Sequence, residues 1–124
     1  MPGPAYYSGV MSIAKNEDWI VPFIYGTVDE ADVFTPIDLT GSTLKLEIRK
    51  TEADHEVFVK VETDDGIRVD DAAAGAFTVF IERDRLVRLA PGAYVSDLVR
   101  EMPTGYQERI WEGVANVVEG TTRP

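Results

Sequence analysis

At 124 residues, 44% of them hydrophobic, the chain has the length of one domain and enough apolar material for a packed core. Its 22 acidic and 12 basic residues leave a net charge of −10, and because phosphate binding needs a concentrated basic face, no nucleic-acid partner is expected. With no cysteine, one histidine and no run near the roughly 20 apolar residues that cross a bilayer, neither a disulfide, a zinc site nor a membrane partner is expected.

Residues 1–9 read as an N-terminal arm. Its Met1-Pro2-Gly3-Pro4 start has no charged-then-apolar signal pattern, and its Tyr6-Tyr7 pair is a candidate partner contact. A single sandwich domain is expected over 10–120, followed by a short tail over 121–124 in which Arg123 is a further candidate contact. Val10 to Lys15 is expected to pair with the strand that follows, Asn16-Glu17-Asp18 forming the connection. In that next strand Trp19, Val21, Phe23 and Tyr25 share one parity, and Pro22, which lacks a ladder donor, marks it as an edge.

Strict alternation then dominates. Leu44, Leu46 and Ile48 alternate with Lys45, Glu47 and Arg49; Val57, Val59 and Val61 alternate with Phe58, Lys60 and Glu62. Asp64-Asp65-Gly66 supplies the positive φ of a tight hairpin before Ile67. Asp70 to Gly75 reads as a connection, and Phe77, Val79 and Ile81 form the next core face. Arg83 to Leu89 fits a short helical turn, with Leu86 and Leu89 three apart. Two more strands, Ala93 to Arg100 and Arg109 to Val118, are joined by Met102-Pro103-Thr104-Gly105. The last carries apolar residues on both parities, as a strand covered on both sides would.

Reactive chemistry is thinly represented. His55 is the one available imidazole base, and no nucleophile elbow or glycine-rich phosphate loop accompanies it. Asp64, Asp65, Asp70 and Asp71 are the carboxylates that could serve calcium or a glycosidase pair, but the spacing of a calcium loop is absent and both pairs have turn roles. No enzyme and no cofactor is expected. Phe58 and Phe80 fall opposite the valine-rich faces of their strands. Together they would form an exposed apolar spot for a partner, unless a loop such as Val33-Phe34 covers them.

Seven or eight strands in one domain match an immunoglobulin-like antiparallel β-sandwich, with a small closed barrel as the competing arrangement. Leu89-Ala90-Pro91-Gly92-Ala93-Tyr94 resembles the tyrosine corner of immunoglobulin-like domains, which would turn Tyr94, Ser96 and Leu98 inward; an ordinary Pro-Gly turn with a half-buried tyrosine is the other reading. Trp19 is large enough to fill the space between two sheets.

Several segments together resemble a family of small virion proteins of tailed bacteriophages. They are Ile13 to Trp19, Pro36-Ile37-Asp38-Leu39-Thr40-Gly41, Leu44 to Arg49, Asp65-Gly66-Ile67, Pro91-Gly92-Ala93-Tyr94 through Leu98, Trp111-Glu112-Gly113 and Glu119 to Arg123. The pattern is similar to the N-terminal domain of phage baseplate upper proteins, which attaches receptor-binding parts to the tail. Those proteins continue into a stalk, whereas this sequence stops at Pro124, so it is not expected to reach a distant partner by itself. The resemblance implies a non-enzymatic tail, baseplate or tail-fibre adaptor. It implies a virion location after assembly in the host cytoplasm, with other virion proteins as partners and a multi-copy or homo-oligomeric arrangement. A capsid decoration protein is the alternative, and a carbohydrate-binding module for host recognition a further one.

Overall fold

The computed structural model describes residues 7–51 and 56–119, the first six of these by backbone alone. Apart from one helical turn, the regular structure of the described chain is all strand. In order it forms β1 (Tyr7–Ala14), β2 (Trp19–Ile24), β3 (Gly26–Val28), β4 (Phe34–Pro36), β5 (Thr43–Arg49), β6 (Val59–Thr63), β7 (Gly66–Asp71), β8 (Ala76–Ile81), the helical turn α1 (Arg83–Leu86), β9 (Gly92–Glu101) and β10 (Gln107–Val118).

Among the described residues, eight strands run in the order β1-β10-β9-β5-β6-β7-β8-β2, while β3 and β4 pair only with each other. Between β6 and β7 the ladder shrinks to two residue pairs, Glu62–Gly66 and Thr63–Ile67. There the sheet folds over, so β1-β10-β9-β5-β6 makes one layer and β7-β8-β2 the other. The turn responsible carries positive φ at Asp64 (68°) and Gly66 (102°). Asp-Gly chemistry therefore appears where expected, but it turns a corner between layers instead of closing a hairpin within one.

Alternation explains which side chains lie between the layers. Leu44, Leu46 and Ile48, Val59 and Val61, and Phe77, Val79 and Ile81 are all buried in one cluster. Tyr94, Ser96 and Leu98 also point inward. The tyrosine corner is formed: the Tyr94 hydroxyl donates to the Ala90 carbonyl at 2.7 Å. Leu86 and Leu89 plug the adjacent end, and the Asp18 carboxylate accepts from the Arg83 amide at 2.7 Å, capping α1 from a distant turn.

Three expectations need correction. β1 does not pair with β2; it crosses to the other layer and runs parallel to β10, Tyr7 opposite Trp111 and Ala14 opposite Val118. β10 is not covered on both sides. A bulge between Arg109 and Trp111 makes Ile110 and Trp111 both buried, after which Ala115 and Val117 stay inward while Val114 and Val118 face outward. Trp19 is packed against the core without being enclosed, because β2 lies at the end of the sheet order; Trp111 is the enclosed tryptophan.

Candidate binding surfaces

One end of the sandwich, where β2 leaves for β3 and where β9 turns into β10, is tied together by Arg100. Its Nε donates to the Ser42 hydroxyl (2.9 Å), one terminal nitrogen to Glu108 (3.0 Å) and the other to the Asp38 carbonyl (3.1 Å). Glu108 also accepts from the Tyr25 hydroxyl at 3.1 Å. Burial, followed by the Glu108 charge, pushes the Tyr25 phenol above its ordinary range, so it remains a neutral donor. Asp38 accepts from the Thr40 hydroxyl (2.6 Å) and amide (2.8 Å), which hold its carboxyl below the usual range, and Gly41 follows with φ of 75°. Pro103 of the β9–β10 turn rests so close to Gly41 that a Cβ there would meet its ring at 2.9 Å. The loops at this end are thereby held against each other by the fold.

From this rigid base the β3–β4 hairpin carries Val28, Val33 and Phe34 outward, all exposed, and the Tyr106 ring is exposed at the same end. Asp29 Oδ1 accepts from the amides of Ala31 (2.8 Å) and Val33 (3.0 Å), an Asx turn that shapes the tip. Glu30 and Asp32 complete an acidic tip with no ion pair to any described residue.

The outer face of β5, β9 and β10 is different. Lys60, Glu47, Asp97 and Glu112 form a row across four strands, each opposite the next. Arg49 bonds Glu47 at 2.7 Å and Arg109 bonds Glu112 at 2.8 Å. The central Asp97 is pushed up from the ordinary carboxylate range by burial and by the Glu47 and Glu112 charges, against the pull of Arg109 and Arg49. Glu47, Arg49, Asp97, Arg109 and Glu112 line a shallow depression of about 400 Å³. A second open groove, about 510 Å³, lies at the layer corner between Ile20, Phe80, Asp64, Asp65 and Arg85.

The predicted contact residues are scattered. Phe58 and Phe80 do not make one apolar spot. Phe58 precedes β6, escapes its alternation and turns inward edge-on to Tyr94 (5.5 Å), whereas Phe80 faces outward under the Arg68 guanidinium (5.0 Å). Val33 and Phe34 cover neither ring, being exposed on the hairpin. The Tyr7 backbone belongs to β1; its side chain, together with Tyr6, His55 and Arg123, lies outside the described residues. Asp65 is held by Arg85 (2.9 Å), Asp70 by Arg68 and Thr78 (both 2.6 Å), and Asp71 accepts from the Ala74 amide (3.3 Å). Among the described residues no group of three or more metal-ligating side chains converges. The Arg100 tie and the hairpin escaped sequence reasoning; the Asp29–Val33 turn chemistry was the one local signal for the hairpin.

No protein-family model matches the chain, and no curated protein does. Among solved structures, the chain is similar to CopC from Methylosinus trichosporium OB3b, with 16% identity over 95% of this chain and 90% of that one, at a TM-score of 0.40. It is also similar to extracellular domains 3–5 of Drosophila OTK, with 17% identity over 98% of this chain and 35% of that one, at a TM-score of 0.29.

Proposed function

We propose that the chain is a non-enzymatic structural component of a tailed bacteriophage particle, a tail or baseplate adaptor that binds other virion proteins through its outer surface. The observation that carries the binding role is how the polar side chains of the interior are used. Tyr94 is bonded to the Ala90 carbonyl, Ser96 to the Gly113 carbonyl, and Tyr25, Glu108 and Arg100 to one another. They serve the frame. The same frame presents exposed apolar side chains at one end and ordered charges on one face, the raw material of protein contacts. The assignment to a phage tail is supported by the ordered segments from Ile13-Ala14-Lys15-Asn16 to Trp111-Glu112-Gly113 that resemble baseplate upper proteins.

Quantitative mass spectrometry of purified particles tests this. Copies on the order of ten per particle are expected of a part built on a cyclic tail, while hundreds would move the chain to the head shell. Absence from intact particles overturns the virion assignment.

A further inference from the structure

The β3–β4 hairpin is one strand short of a stable sheet. A two-stranded ribbon is marginal in water by itself, and among the described residues this one pairs with no other strand while exposing Val28, Val33 and Phe34. Its ladder parity shows what remains unused. Asp29 donates to the Val33 carbonyl and Ile37 to the Tyr25 carbonyl, so Thr27 and Thr35, midway between, form the inward-bonded pair. The N–H and C=O of Phe34 therefore point away from β3, along a strand whose three residues are all exposed. Pro36 contributes a carbonyl but no donor, which limits any added ladder to a few residues.

Charge narrows the occupant. Asp29, Glu30 and Asp32 crowd the tip, and no described cation is ion-paired with them. The whole chain carries −10, so a second copy would bring like charge to an already acidic tip. We infer that the free edge of β4 docks an extended segment of a partner protein in which lysine or arginine alternates with apolar residues. The apolar side chains would lie on the face that carries Val28 and Phe34, the cations on the opposite face toward Asp29 and the acidic tip, and the main chain on Phe34. Pro22 makes the contrast within the same molecule. By the same parity, β2 turns the backbone of Ile20, Pro22 and Ile24 outward, since Tyr25 donates to Gly75, and the proline removes the middle donor of that edge.

The inference rests on the reading of the chain as a module that works by its surface. It is tested by adding the peptide Thr-Lys-Val-Lys-Val-Lys-Thr, or its glutamate counterpart, to the isotope-labelled full chain and following backbone amides by NMR. Shifts are expected from the lysine peptide alone, centred on Phe34 and spanning residues 27–35, and weakening as salt rises through roughly 0.15 M. The combined Asp29→Asn, Glu30→Gln, Asp32→Asn chain keeps the amide acceptor of the turn and tolerates the positive φ at residue 32 (60°), so it should fold. Its affinity should drop roughly tenfold. Equal response to both peptides, shifts centred elsewhere, or no response overturns the inference. So does a dimer in sedimentation that Phe34→Ser disperses, which would make a second copy the occupant. Failure of the virion assignment would appear in particle composition and leave the peptide response intact.

Discussion

The Tyr94 hydroxyl reaches back four residues to the Ala90 carbonyl, locking the crossing into β9, while its ring meets Phe58 edge-on and lies under the Lys50 ammonium at 4.6 Å. Tyr94→Phe keeps the ring and removes the bond, so urea unfolding should show a loss of about 1 kcal/mol with little change in m-value. Asp97 predicts the opposite sign. Its carboxyl titrates higher in the folded chain than in the unfolded one, so the folded state binds the extra proton and stability falls as pH rises through that interval. Asp97→Asn should therefore melt above the parent at neutral pH, and thermal scans should show the advantage vanishing below the ordinary carboxylate range, where both forms are neutral. Tyr94 was legible in its local Pro-Gly-Ala-Tyr context. Arg100 was not, because its partner Ser42 lies 58 residues away and nothing within its own strand distinguishes it from a surface arginine.

At the scale of elements, alternation located nearly every long strand, and it failed where the backbone leaves the regular pleat. The β10 bulge reverses the inward parity at Ile110–Trp111, so a pattern that resembles two buried faces is one buried face that changes phase. Phe58 lies just outside β6, where parity has no force. The layer corner depends on Gly66, whose φ of 102° disfavours any side chain and where a Cβ would meet Val61 Cγ1 at 2.5 Å. Gly66→Ala should cost at least about 2 kcal/mol in chemical denaturation. Gly105→Ala is the matched control: φ is 92° but the space around it is open, so strain alone should cost about 1 kcal/mol. Equal losses at both glycines would mean that the corner is not closely packed.

For the molecule as a whole, the order β1-β10-β9-β5-β6-β7-β8-β2 leaves two strands at its ends, consecutive in the chain and in different layers. Pro22 removes a donor from the outward backbone of β2, whereas the β3–β4 hairpin presents the outward N–H and C=O of Phe34. The sequence by itself determined the all-β class and the core faces of β5, β6 and β8, and it offered the tyrosine corner, with the inward face of β9, as one of two readings that the Tyr94–Ala90 bond decided. Each depends on residues within a few positions of one another, and period-two patterning and turn chemistry are local properties. Only the tertiary structure decided that β1 joins β10, that the Asp-Gly turn bends the sheet into two layers, that Arg100 ties one end together and that Val33 and Phe34 remain about half exposed on the hairpin. These depend on which distant segments meet, and strand partners are chosen by burial across the whole molecule.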